Sequence, residues 1–377
     1  MEYTRISQRY FLETGTRFPR RIIWAMGCIK AAAARANMEL ELLDRKRGEA
    51  IVKASRELAE GVHDGKVVVD VYQTGSGTGL NMNVNEVIAE RASQLAGVEV
   101  HPNDHVNMSQ SSNDVVPTAI RLAALAELNE SLLPELEKLA LKLEELGEKY
   151  ASVVKPGRTH LRDALPVTLG MELASYAPSL RMSLELLAAI SRELSRVPLG
   201  GTAVGTELNA HPDYPKLAVK LLSEESGLRL EVEELKPRKM KLVTDLLALS
   251  SAARLVAVDV WRLSQDLRLM FSGPRTGLDE IDLEVELPGS SMMPGKKNPV
   301  TLEAVMQASA QVMGIDSSVL HSSLLGEFEL SMGLPLAGYN VVSQLQLLAE
   351  ALRKLREQVL DASSPTEQGW RSLPEAA

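Results

Sequence analysis

Eleven residues from Gly289 to Pro299, GSSMMPGKKNP, gather two serines, two lysines and an asparagine between glycine and proline. Ser290 and Ser291 offer hydroxyls, while Lys296 and Asn298 offer donors that suit a carboxylate. Glycine near both ends lets the backbone of such a loop come close to a ligand. Taken singly, a stretch of this composition is ordinary solvated turn sequence. Three further clusters resemble it: TGSGTGLNMNVNE from Thr74 to Glu86, HPNDHVNMSQSSND from His101 to Asp114, and GRTHLRDALP from Gly157 to Pro166. Each stands just ahead of a long apolar-periodic segment. That order predicts a loop feeding a helix N-terminus, where free N–H groups and the helix dipole favour an anion. Ser111-Ser112-Asn113-Asp114 ahead of Pro117 also suits helix capping. Four such clusters in one chain predict a site for a multiply charged anion.

The elements that must position these clusters are long helices. Leu125, Leu128, Leu132, Leu136, Leu139, Leu143 and Leu146 recur at spacings of three and four. They predict one helix over residues 118–150, mildly interrupted at Pro134 and about 50 Å long. Similar segments run over 166–194, 242–270, 299–319 and 334–359, and a shorter helical stretch lies within 20–61. Five long helices with short links predict an all-α fold, an elongated helical bundle. By pattern the chain divides into an N-terminal helical and loop region (1–117), a long-helix bundle (118–360) and a short polar tail (361–377). The 242–270 segment is apolar on more than one face, through Leu246, Leu247, Leu249, Leu255, Val256, Val258, Val260 and Leu263. One chain has too little interior to bury such a helix, so subunit association is expected.

Composition agrees with a helical protein. Of 377 residues 45% are apolar and only 4% aromatic, so the core must be built from Leu, Val, Ala and Met. A net charge of −9 argues against nucleic acid as a partner. The single cysteine, Cys28, excludes an internal disulfide and suits a reducing compartment. No secretory signal is expected in residues 1–30, and no uncharged run of 18 apolar residues occurs, so no membrane partner is expected. No His/Cys cluster at metal spacing and no phosphate-binding glycine loop appears, so neither metal nor organic cofactor is expected.

The polar clusters are similar to the signature segments of class II fumarases, within the fumarase/aspartase superfamily. GSSMMPGKKNP resembles the GSSxMPxKxNP signature of a mobile loop. SSND, GRTHL and LGGTAVGT (Leu199 to Thr206) resemble the fumarase branch, whereas the aspartase branch carries STND and GRTQL. The resemblance spans residues 18–356. It implies a homotetramer whose central bundle takes five helices from each chain, with each site drawn from three chains. It also implies fumarate hydratase activity, a hydro-lyase of the tricarboxylic acid cycle acting on malate and fumarate, in the cytoplasm.

Removing a weakly acidic C3 proton from malate and expelling hydroxide requires a base, an acid on the other side, and donors for the developing charge. The resemblance implies Ser290 as the base, with Lys296 and loop N–H groups stabilising its alkoxide. His160, with Thr159, would serve the leaving hydroxyl, and Glu303 would orient His160. Ser76, Thr78, Ser111, Ser112, Asn113, Lys296 and Asn298 would bind the two carboxylates. His101, Asn103 and Asp104 resemble a second dicarboxylate site. Val98 and Glu99 stand where a basic pair usually precedes it, which should weaken anion binding there. His63, His105, His211 and His321 form no constellation and are expected on the surface or in loops.

Other departures are Lys297 for an apolar residue, Arg238 and Lys241 for an asparagine and a glutamate, and Gly79 for a glutamine. The family pattern also continues past position 377 into a small C-terminal helical domain. Two alternatives stay open: aspartate ammonia-lyase or another lyase of the superfamily, and a non-catalytic protein on the same scaffold. His160, where aspartases carry glutamine, opposes the first, and the intact Ser290, Lys296, Asn298 and His160 set opposes the second.

Overall fold

A computed structural model describes residues 1–366 apart from positions 286 and 288, and it is mainly helical. Two compact units divide the chain: Met1–Asn129, Ala189–Ser250 and Ile315–Ser343 form the first; Glu130–Ala188, Ser251–Gly314 and the residues from Gln344 form the second.

In the first unit the Arg20–Glu39 helix is central, packing on the Arg45–Ala59, Ser112–Glu127 and Tyr214–Ser226 helices. Its run Ala31 to Ala34 combines high helix propensity with small volume, so neighbouring helices can close on every side. At Gly27 an added Cβ would lie 2.7 Å from the Ser55 carbonyl oxygen, so only glycine permits that crossing. Burial also takes in charge. Arg121, wholly buried, donates to Asp245 through Nε (2.7 Å) and Nη2 (2.9 Å), and Lys239 stands 3.1 Å from the same carboxylate.

In the second unit the leucine stripe behaves as expected: Leu136, Leu139, Leu143 and Leu146 are all buried on the Leu133–Lys149 helix. One π turn, Leu128–Leu132, precedes it just ahead of Pro134, so the expected 118–150 helix is present with an irregular joint. The helices expected from 299 and 334 span Val300–Ser323 and Leu334–Leu355. Thr244–Met270 fulfils the expectation for 242–270.

The helix expected from Pro166 does not start there. Arg162–Thr168 is a strand, paired antiparallel with Val154–Thr159, and helices follow only over Leu169–Ala174 and Ala177–Leu194. Pro156 pairs opposite Pro166, neither of which can donate to a ladder, and the register shifts between Pro156 and Arg158. An added Cβ on Gly157 would lie 2.6 Å from the Leu165 carbonyl oxygen, so the shift needs glycine. Within the expected polar tail, Ser363–Pro365 pairs antiparallel with Ile281–Leu283, and residues 367–377 lie outside those described.

Burial alone would raise the Asp245 carboxyl, but the Arg121 guanidinium and Lys239 ammonium overcome it and hold it at about 2. A depressed carboxyl contributes stability that is present above the ordinary carboxylate range and lost as pH falls through the folded value. Asp245→Asn leaves Arg121 buried without its counter-charge and should cost about 3–5 kcal/mol at neutral pH. Denaturant midpoints should also fall less steeply between about pH 4 and pH 2 in the variant than in the parent.

Candidate active site

Gly77 starts the site loop of the first unit. It sits in the left-handed region (φ 76°), and the Thr78–Ala96 helix begins immediately after it. A glycine cap has no side chain for the free N–H groups, and Gln73 supplies one: its Oε1 accepts from the Leu80 N–H at 2.8 Å. An added Cβ on Gly79 would meet Phe11 and Gln73 within 2.5 Å, so those side chains occupy the space beside the departure at 79. Ser76, Thr78 and Ser112 are joined by their hydroxyls, at 2.7 Å between Ser76 and Thr78 and 2.9 Å between Thr78 and Ser112. The structure thus brings together three residues expected to bind carboxylate, from two clusters 34 positions apart.

Ser111 is the N-cap of the Ser112–Glu127 helix and forms a capping box with Asp114. Asn113 is turned the other way, its Nδ2 donating to the Ala203 carbonyl at 2.8 Å. Lys30 is fully buried and donates to Asn107 (3.0 Å) and Gln110 (2.9 Å). Burial pulls its ammonium down to about 7, against the opposing pull of Asp114.

His101, Asn103 and Asp104, expected as a second anion site, lie at the start of the Pro102–Val106 turn, with Asn103 and Asp104 exposed. His101 precedes the Pro102–Val106 turn and its Nδ1 accepts from the Asp104 N–H at 3.1 Å. The His105 ring accepts from the His101 N–H at 2.8 Å. The nearby guanidinium of Arg47 is engaged with the Glu99 carbonyl and Asp44. His63, expected as a surface or loop residue, is half-buried and 3.1 Å from Glu57.

In the second unit Thr159 and His160 stand exposed at the tip of the 154–168 hairpin, not ahead of a helix N-terminus. The turn is made by His160 (φ 55°) and Leu161 (φ 58°), both left-handed. Histidine tolerates that region better than most residues, whereas leucine does not, so the hairpin imposes it. The first strand of the hairpin is held along its length by Glu280, almost wholly buried, which takes Arg158 at 2.6 Å and Lys155 at 2.9 Å. Lys155 also pairs with Glu172. These groups, with His160, line a cavity of about 310 Å3.

The Gly289–Asn298 loop is clasped at its ends. Gly289 N–H donates to the Lys296 carbonyl (3.0 Å), and Asn298 Nδ2 donates to the Gly289 carbonyl (2.7 Å). Inside the clasp, Ser290 Oγ accepts from the N–H groups of Met292 (3.2 Å) and Met293 (3.3 Å). The Lys296 side chain is exposed and makes no hydrogen bond or ion pair among the described residues, so the expected pairing with Ser290 is not formed in this arrangement. Glu303 is exposed on the first turn of the Val300–Ser323 helix and makes no hydrogen bond or ion pair with His160 within the chain. The unusual Lys297 stands 3.8 Å from Asp282 in the second unit, and the unusual Arg238 is held by Glu193 and Glu233 in the first.

No group of three or more His, Cys, Asp or Glu side chains that could hold a metal occurs among the described residues. None of their helices is long and apolar enough to cross a membrane. A family model described as a lyase matches residues 1–314. A class II fumarate hydratase of Saccharolobus solfataricus is 54% identical over 96% of this chain and 83% of its own length. The chain belongs to the class II fumarase family. The corresponding protein of Corynebacterium glutamicum is 43% identical over 94% of this chain and 75% of its own length. Among solved structures, a class II fumarase from Schistosoma mansoni has a TM-score of 0.94 at 33% identity, covering 97% of this chain and 81% of that one. A Brucella melitensis fumarate lyase:delta crystallin bound to cobalt has a TM-score of 0.92 at 38% identity, covering 98% and 82%.

Four partner residues escaped the sequence reading: Gln73, Lys30 and Asp114 as more than a cap in the first unit, and Glu280 in the second. Only Asp114 had a local signal, the S-x-x-D spacing from Ser111. The clasp leads to a test. Asn298→Ala removes one side-chain-to-backbone hydrogen bond of about 1 kcal/mol, so the opened loop should rise about fivefold in population. Limited proteolysis within residues 290–297 should accelerate by a similar factor while the melting temperature stays within a few degrees.

Proposed function

We propose that the protein is a fumarate hydratase, interconverting L-malate and fumarate by removal and addition of water. One observation carries this reading: two backbone N–H groups converge on the Ser290 hydroxyl oxygen in a chain of the class II fumarase family. A serine hydroxyl is a poor base unless its alkoxide is stabilised. The Met292 and Met293 amides supply fixed dipoles for that charge, and Lys296 adds a full positive charge when the loop brings it over the site.

In the dehydration direction Ser290 takes the C3 proton and negative charge gathers on the neighbouring carboxylate. Lys296 and Asn298 bind that carboxylate. The hydroxyls of Ser76, Thr78, Ser111 and Ser112 and the remaining amide N–H of Asn113 hold the other, which fixes the C3–H bond before Ser290. His160, aided by Thr159 and oriented by Glu303, carries the proton to the departing hydroxyl. A titratable imidazole suits water as the leaving group, where the glutamine of the aspartase branch could not shuttle a proton. The working unit is a homotetramer in the cytoplasm, serving the tricarboxylic acid cycle. Leu255 (39% exposed) and Val258 (48% exposed) on the Thr244–Met270 helix support the assembly, because a single chain leaves that apolar face uncovered.

The deciding assay follows fumarate absorbance from L-malate, beside L-aspartate, with chelator-treated protein. Malate should turn over and aspartate should not; the opposite outcome sinks the reading. Ser290→Ala should lower kcat by about 10²–10⁴-fold with substrate binding retained. It should also abolish hydrogen exchange at C3 of malate, whereas His160→Asn should keep more exchange than net dehydration. Wild-type exchange in Ser290→Ala would remove Ser290 from the role of base. Light scattering should give about four times 41.1 kDa, and an active monomer would refute the shared assembly.

A further inference from the structure

Asp114 does more than cap a helix. Its carboxylate is completely buried and accepts three backbone N–H groups: Ser111 at 2.9 Å, Gly200 at 2.9 Å and Thr202 at 3.0 Å. The first belongs to the helix start that carries Ser111, Ser112 and Asn113; the other two belong to the Leu199 to Thr206 loop. That loop answers one residue further on, where the Ala203 carbonyl accepts from Asn113 Nδ2 at 2.8 Å. The bonds form a closed ring, Asp114 to Gly200 and Thr202, through Ala203 to Asn113, and back along the chain.

The loop could not hold its shape unaided. Thr202, a β-branched residue, is at φ 59°, where such residues are rarely stable without external bonds. Gly200 is at φ 90°, and an added Cβ there would lie 2.7 Å from Pro215. Burial pushes the Asp114 carboxyl up to about 6, with the three N–H donors and the Lys30 ammonium opposing the rise, so the group still accepts at neutral pH.

We propose that Asp114 is the positioning residue for Asn113: it sets the Gly200–Thr202 backbone so that Ala203 fixes the Asn113 amide, leaving the second amide N–H for a substrate carboxylate. This rests on the dicarboxylate reading of the site given above. An Asn113 amide free to turn would lose affinity for both reactant and non-reacting dicarboxylates, so the effect falls on binding before turnover.

The test compares Asp114→Asn, Asn113→Ala and the double variant, each as intact full-length protein. Two quantities are read: KM for malate and the dissociation constant of succinate, a dicarboxylate that cannot react. Each single change should weaken succinate binding about tenfold, as loss of one oriented hydrogen bond to a charged group does. The double variant should be no weaker than the worse single, because both act through the same amide. Losses that multiply, or unchanged succinate binding with only a lower melting temperature, would reduce Asp114 to a structural role and overturn the proposal. If Asp114→Asn does not fold, Gly200→Ala moves the same loop from its far side. It should weaken succinate binding equally and again non-additively with Asn113→Ala; additivity overturns the proposal there too. If wild-type protein binds succinate but does not turn over malate, the hydratase reading fails while the succinate cycle still judges Asp114.

Discussion

A carboxylate taken out of water must be met by donors, and most of this architecture follows from how three of them are met. Asp114, Asp245 and Glu280 are all buried, and each binds segments that are far apart in sequence. Asp245 gathers Arg121 and Lys239, fixing the Ser112–Glu127 helix against the start of Thr244–Met270. Glu280 gathers Lys155 and Arg158 and so holds the hairpin that presents His160. Asp114 binds backbone alone and ties the helix start at Ser111 to the Leu199 to Thr206 loop. An interior of Leu, Val and Ala supplies the driving force for packing but little registry, because such side chains slide past one another at modest cost. Paired charges do not slide.

The long helices were legible because their leucines repeat at three and four residues over many turns, and those positions are buried as the pattern requires. The 154–168 hairpin was not. Prolines at 156 and 166, a glycine-centred register shift and a His-Leu turn remove the alternation and the Asn-Gly type of signal by which hairpins are recognised. At the site, residue types could be named from motif likeness, and the hydroxyl trio of Ser76, Thr78 and Ser112 sits together. The buried partners could not be named. Nothing in the spacing of Glu280 and Lys155, or of Gln73 and Leu80, announces a contact that only tertiary folding creates.

The departures from the family pattern sort by location. Arg238 and Lys297 both find acidic neighbours: Lys297 makes an exposed pair with Asp282, an interaction of small energetic weight, and Arg238 reaches the buried Glu233 as well as Glu193. Gly79 is different in kind, since Phe11 and Gln73 take up the room beside it. Through that contact the stretch ahead of the first long helix is packed beside the start of the Thr78–Ala96 helix. Thr4 adds a second tie, its hydroxyl donating to Glu86 at 2.5 Å on the same helix.

The turn at His160 and Leu161 has a bearing on how this scaffold can change its chemistry. A two-residue turn with both φ values positive admits few side chains without strain, with histidine and asparagine among the tolerated. Residue 160 must therefore adopt a dihedral angle that few side chains tolerate. A glutamine placed there would meet the same backbone with a weaker preference for it. Exchanging His160 for glutamine thus asks for a reshaped turn as well as a new side chain, which makes the hairpin tip a conformational filter on mutational paths.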